Sequence, residues 1–198
     1  MKAVVFRTLE EVEKWRKPFL VVAGIDEAGR GPLAGSVFAA AVILKGSIEG
    51  LNDSKKLSEK KRWALEPIIK SETVWAVGEA SVEEIEEHNI LRATLLAMKR
   101  AWNGLGKAAE VAAVDGIYIP EGITGVAVIK GDALVQEISA ASILAKCARD
   151  RHILALAEEW PQYGWVKNKG YGTADHMAAL KQHGHCRWHR TSFHGVVQ

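Results

Sequence analysis

From Phe19 to Asp26, Ser36 to Leu44 and Thr73 to Ala80 the chain passes through short segments rich in Val, Ala, Ile, Phe and Trp, bounded by glycine, serine or charged residues. Each reads as a β-strand. Val111 to Asp115 and Gly125 to Ile129 repeat the pattern, which predicts five strands. Elsewhere the period is helical. Thr8 with Glu11 forms a capping box before an amphipathic stretch ending near Lys17, and Ser58 caps a helix running to about Lys70. Ser81 with Glu84 caps another, and Leu91, Leu95 and Met98 keep helical spacing through Trp102. The stretch from Ala133 to Trp160 is helical throughout. Pro161 breaks it, a glycine-rich turn follows at Lys169 to Thr173, and Ala174 to His183 forms a last helix.

Consecutive strands followed by strands alternating with helices predict an α/β architecture: a mixed sheet flanked by helices, then a small helical C-terminal appendage. The expected boundary falls at Trp160, with residues 1–160 as the catalytic unit and 161–198 as the appendage. A chain of 198 residues that is 48% hydrophobic can bury one substantial core. Its most apolar stretch, Val37 to Leu44, is far shorter than the ~20 residues needed to cross a bilayer, so no membrane segment is expected. Cys147 and Cys186 form no disulfide framework and the N-terminus lacks a signal-peptide pattern, so a reducing cytoplasm is expected.

Charge alters this picture only locally. The 26 basic and 24 acidic side chains leave +2, too little to mark a nucleic-acid binder by net charge. Basic residues do cluster, at Lys55, Lys56, Lys60, Lys61 and Arg62, and again from Lys146 to the C-terminus. Such runs are usually solvated faces.

The acids are more informative. Asp26 and Glu27 end the apolar run from Val21 and precede the turn Ala28-Gly29-Arg30-Gly31-Pro32. Neighbouring strand residues point to opposite faces, so both serve one site only if the strand ends or bulges there. Asp115 ends Val111-Ala112-Ala113-Val114, and Asp132 follows the run Val126 to Gly131. A lone aspartate in such a place is more often a turn residue or a helix cap. Carboxylates delivered together at the ends of apolar strands point instead to a shared site. With no obligatory histidine or cysteine partner they suit Mg²⁺ or Mn²⁺ rather than Zn²⁺. Two such ions, roughly 4 Å apart, support phosphodiester cleavage.

The run Gly24-Ile25-Asp26-Glu27-Ala28-Gly29-Arg30-Gly31-Pro32-Leu33-Ala34-Gly35 resembles the signature of the type 2 ribonuclease H, or ribonuclease HII, family. The similarity continues through Leu51 to Ser58, Val114-Asp115-Gly116, Lys130-Gly131-Asp132, Ile138 to Lys146 with Arg149-Asp150, Lys169 to Thr173, and His189-Arg190 with Ser192-Phe193. The family pattern is departed from at Gln136 and at Cys186-Arg187-Trp188. The resemblance implies a ribonuclease H-like fold with a five-stranded mixed sheet, and metal-binding catalytic acids at Asp26, Glu27, Asp115 and Asp132. It implies that Gly29-Arg30-Gly31 contacts the ribose 2′-OH and that Tyr171 packs beside the RNA–DNA junction. The implied substrates are RNA–DNA hybrid and duplex DNA containing a ribonucleotide, cut on its 5′ side, and the implied process is ribonucleotide excision repair. Physically this is consistent, because the 2′-OH distinguishes RNA from DNA and glycines permit close main-chain approach.

Other candidates are less specific. Ser139, Ser142, Lys146 and Arg149 share one helical arc, which follows phosphates or is a solvated face. Asp150 can pair with Lys146 at i, i+4, and in a continuous helix it lies about 27 Å from Asp132, too far to share a metal. Lys55 and Lys56 are candidates for holding the duplex backbone, or merely solubilise the chain. His183, His185, Cys186 and His189 resemble a zinc site superficially, but the ligands are crowded and no second cluster supports them. Few residues follow Phe193, so no clamp-docking tail is expected; no protein partner is identified and a monomer is expected. Two rival readings are a non-catalytic hybrid-binding module and a metal-dependent DNA nuclease or resolvase of the same fold. The full set of acids weighs against the first, and the Gly-Arg-Gly turn with Tyr171 against the second.

Overall fold

The computed structural model describes residues 4–19, 21–51 and 57–197. Lys55 and Lys56, the candidates for gripping a duplex backbone, lie outside the described residues. In chain order the elements are β1 (Val5–Phe6), α1 (Leu9–Arg16), β2 (Val22–Ala28), β3 (Val37–Leu44), α2 (Glu59–Glu72), β4 (Thr73–Ala80), α3 (Val82–Gly104), β5 (Val111–Asp115) and β6 (Gly125–Val128). There follow α4 (Gly131–Leu134), α5 (Gln136–Glu159), a 3-10 turn at Pro161–Tyr163, α6 (Trp165–Asn168) and α7 (Ala174–His183).

The strands form one mixed sheet in the order β1-β6-β5-β2-β3-β4. The pairs β2/β5, β5/β6 and β1/β6 are parallel, while β2/β3 and β3/β4 are antiparallel. The sheet therefore has six described strands, not five. The addition is β1, whose two residues are too few to show an alternating pattern and become a strand only by pairing with β6.

Helices cover both faces because the strands alternate two apolar sets. Val37, Ala39, Ala41 and Ile43 of β3, with Ala23 and Ile25 of β2, pack in the core under α3. Ala40 and Val42 pack with Ala140, Ala141 and Leu144 of α5. The approach of α5 is close enough to require glycine: a Cβ on Gly24 lies 2.1 Å from the Glu137 carbonyl carbon. A third apolar group joins Leu33 and Ala34 of the β2–β3 connection and Ile153 and Leu156 of α5 to Tyr163, Trp165, Leu180 and Cys186. The C-terminal elements thus pack on the far half of α5 and on the turn that follows β2.

Two helices differ from expectation. Helical φ/ψ is interrupted in α3 at Asn89 (φ 68°, ψ 162°), whose side-chain oxygen accepts from the Leu91 and Arg92 amides and restarts the helix. The predicted helix from Ala133 is broken at the extended Val135 (φ −124°, ψ 118°), so Asp132 sits on the separate turn α4. Among the described residues no helix is long and apolar enough to cross a membrane.

Candidate active site

Strand register brings the acids together. Ile25 pairs with Val114 in the parallel β2/β5 ladder, so the next step along both strands sets Asp26 beside Asp115 at their C-terminal ends. Residues of β5 and β2 that share the face of these acids, Val111, Ala113 and Val22, are buried together with Ile138 of α5. Glu27 belongs to the opposite set, yet β2 neither ends nor bulges before it: Asp26 pairs with Ala40, Glu27 with Ala39 and Ala28 with Phe38. The expectation that the strand must stop is corrected here. Because β5 ends at Asp115 and its pairing with β2 ends at Ile25 and Val114, no further β5 residue flanks Glu27. Ligand oxygens of Asp26, Glu27 and Asp115 all lie within 4.8 Å of one another.

The local bonds hold this crowding in place. The Glu27 amide donates to Asp26 Oδ1 at 2.7 Å, and the Gly131 amide donates to Asp115 Oδ1 at 2.6 Å. Burial pushes the Asp26 carboxyl well above the ordinary carboxylate range, and the charges of Glu27 and Asp115 push it further, against the pull of Lys146 and Ser142. Glu27 is also raised by burial; Arg30, whose guanidinium lies 3.4 Å from Glu27 Oε1, opposes the shift and Asp115 adds to it. Carboxylates that repel one another in a partly dry site fit a divalent cation, which removes the repulsion.

The acids line an open cleft of ≈ 630 Å³ together with Gly29, Arg30, Gly31, Lys146, Arg149, Asp150 and Tyr171. Ala28, Glu59, Arg62, Lys167, Asn168 and Lys169 complete its wall. Asp132 is buried and lines a separate recess with Leu51, Val135 and Ser139, outside the group of three clustered acids. Its neighbour Gly131 is the residue that binds Asp115, so its backbone borders the cluster. Ser139 and Ser142 are also buried, so the polar arc of α5 is not a solvated face. Lys146 and Arg149 carry that arc into the cleft, where Lys146 donates to Ser142. Asp150 contacts Arg149 at 3.1 Å and Arg62 at 3.6 Å.

The Gly29 to Gly31 turn is built from below. Gly29 has φ +98°, a conformation that glycine adopts without strain, and a Cβ there comes within 3.1 Å of the Ser36 carbonyl. Arg190, 0% exposed, donates from its guanidinium to the carbonyls of Gly29 (2.6 Å), Arg30 (3.1 Å), Pro32 (2.8 Å) and Gly35 (2.9 and 2.7 Å). Burial, with Arg149 nearby, lowers Arg190 to about 9, still charged at neutral pH. Leu33 donates to Gly170 O and thereby joins this turn to the Tyr171 loop. Tyr171 is 49% exposed, its ring 5.4 Å from the Arg149 guanidinium and beside Gly31.

Arg190, His176, Arg62 and Lys169 were given no role by sequence reasoning. His189-Arg190 was visible as a motif, but a cation satisfied by carbonyls distant in the chain has no sequence pattern. Among the described residues, Asp26, Glu27 and Asp115 are the group whose His, Cys or carboxylate atoms lie close enough to hold a metal. Cys186 and His189 are buried and bonded to each other instead.

A mixed sheet whose parallel strand ends carry clustered carboxylates, opening on a cleft walled by arginine and lysine, defines the class: a nucleic-acid phosphodiesterase of ribonuclease H-like fold. The family model described as ribonuclease HII matches residues 23–196, and the chain belongs to that family. It is 54% identical over 180 residues to the ribonuclease HII of Sphingopyxis alaskensis, covering 90% of this chain and 91% of that protein. It is 57% identical over 179 residues to the ribonuclease HII of Neisseria gonorrhoeae, covering 88% and 92% respectively. Among solved structures, the ribonuclease H2 of Pyrococcus horikoshii superposes with a TM-score of 0.75 at 26% identity, over 89% of this chain and 95% of that one. The protein is a ribonuclease H, an endoribonuclease acting on RNA–DNA hybrids.

Proposed function

We propose that this ribonuclease hydrolyses the RNA strand of RNA–DNA hybrids and also cuts duplex DNA on the 5′ side of a single embedded ribonucleotide, leaving 3′-hydroxyl and 5′-phosphate ends. Asp26, Glu27, Asp115 and Asp132 hold Mg²⁺ or Mn²⁺. The observation that carries this reading is the convergence, on one cleft, of the three acids within 4.8 Å and the Gly29 to Gly31 turn beside Tyr171. An all-oxygen anionic donor set matches hard divalent cations. A pair of such ions supplies water activation and stabilisation of the departing 3′ oxygen.

The chain's own residues do the rest. The Gly131 amide aims Asp115; Asp132, the next residue, lines the neighbouring recess and would supply the fourth carboxylate to a bound metal from there. Lys146 and Arg149 lie along the cleft wall and take phosphate oxygens as cations. The turn amides and Arg30 approach one ribose while the Tyr171 ring packs on the neighbouring sugar. One 2′-OH held between turn and ring is sufficient, so no run of RNA is required.

End-labelled duplexes resolved on gels test the reading, with Mg²⁺ or Mn²⁺ supplied. Tyr171→Ala is expected to impair cutting at an isolated ribonucleotide more than cutting within a long hybrid, where adjacent 2′-OH groups offer other registers. Cleavage confined to runs of several ribonucleotides, or equal loss on both substrates, refutes junction reading.

A further inference from the structure

The buried residues behind Tyr171 form a chain of hydrogen bonds whose protons have one consistent arrangement. The Cys186 amide donates to His189 Nδ1 at 3.0 Å, so that nitrogen is bare and the His189 proton sits on Nε2. His189 Nε2 lies 3.1 Å from His176 Nε2, which also receives the Trp165 indole N–H at 3.1 Å. A nitrogen accepting two donors carries no proton, so the His176 proton is on Nδ1 and is donated to the Tyr171 carbonyl at 2.9 Å. Tyr163 fixes the rings: it stacks on Trp165 at 5.1 Å and meets His189 edge-on at 4.5 Å.

From this geometry we infer that His176, braced by His189 and Trp165, is a positioning residue for Tyr171 and through it for recognition of an isolated ribonucleotide. His176 is 0% exposed, so it acts on a nucleic acid only through another group. The Tyr171 backbone is held from both sides: its carbonyl also accepts from the Thr173 amide at 2.8 Å, and its amide donates to Asn168 O at 2.9 Å. The ring remains half exposed beside Gly31 and Arg149. A clamped backbone bearing an exposed ring is a preorganised platform, which loses little entropy when a sugar packs on it. The inference rests on the reading of Tyr171 proposed above.

Two measurements test it. In the unmodified protein, ¹⁵N NMR of the imidazoles should find the proton of His176 on Nδ1 and that of His189 on Nε2; the reverse tautomer at His176 overturns the inference without any substitution. The second is a double-mutant cycle on the single-ribonucleotide duplex. His176→Phe keeps the ring volume without the donor and should raise KM about tenfold with kcat little changed. His176→Asn, which retains an N–H near the Nδ1 position, should recover most of that loss. In a Tyr171→Ala background His176→Phe should cost little more, because the positioned ring is gone. An equal cost in both backgrounds marks a merely structural role and overturns the inference alone. A Tyr171→Ala variant that is silent on the single-ribonucleotide duplex overturns the reading of Tyr171 together with the inference.

Discussion

Asp26 concentrates the conflict between stability and function in one side chain. It is buried, and Glu27 and Asp115 add like charge, so its carboxyl holds its proton well above the ordinary range. For an acid raised in the folded state, the folded protein binds more protons than the unfolded one, and metal-free stability falls as pH rises through the folded pKa. Asp26→Asn keeps the shape and removes the charge. The metal-free variant is expected to melt a few degrees higher at neutral pH, as followed by circular dichroism. Its cleavage should fall by more than about a hundredfold, since even outer partners of a metal site are worth about 10- to 100-fold. An unchanged or lower melting temperature sinks the repulsion argument, and near-normal cleavage sinks the ligand assignment.

At the level of elements, the site depends on how closely α5 approaches β2. The helix backbone at Glu137 and Ile138 sits against Gly24, where any Cβ is placed 2.1 to 2.5 Å from main-chain atoms. Backbone cannot swing aside as a flexible side chain does, so Gly24→Ala must shift the helix or the strand. The same helix carries Lys146 and Arg149 into the cleft, and the same strand carries Asp26 and Glu27. Gly24→Ala is therefore expected to destabilise by about 3 kcal/mol in urea unfolding and to depress cleavage in the fraction that remains folded. A loss below about 1 kcal/mol indicates that the two elements part easily. The break at Val135 belongs to this scale too: helical periodicity predicted continuity from Ala133, but the extended Val135 separates α4 from α5, the helix that lies on Gly24.

The whole molecule responds to pH through groups of opposite sign. Burial, reinforced by His176, lowers His189 from 6.5 to about 4, and burial also lowers His176. Between these values the unfolded chain binds a proton that the folded protein refuses, so stability is fully present above pH 6.5 and is lost as pH falls toward 4. The contribution of His189 is on the order of 3 kcal/mol. Asp26 and Glu27 oppose it, because their raised pKa values favour the folded state on acidification. Comparison with His189→Gln separates the two: between pH 7 and 4.5, roughly the window of a histidine leaving neutrality, the unmodified protein should lose more stability than the variant. Parallel pH profiles from urea unfolding contradict the buried neutral pair.

Much of this architecture was written in local pattern. Short apolar runs bounded by glycine, serine or charged residues located β2 to β6, and Thr8, Ser58 and Ser81 marked helix starts, because strand composition and capping depend on neighbours a few residues away. The acids at strand ends were legible for the same reason. Longer-range decisions were not. Which acids share a ligand distance was set by the register of β2 on β5 and by the end of β5 at Asp115, facts about pairing between segments some ninety residues apart in sequence. Pairing of Val5–Phe6 with β6 made a sixth strand that two residues alone cannot announce. Likewise Arg190 and the His176–His189 pair acquired their roles only when the C-terminal segment packed against the turn after β2, because a buried polar group is defined by the carbonyls and ring nitrogens that folding brings to it.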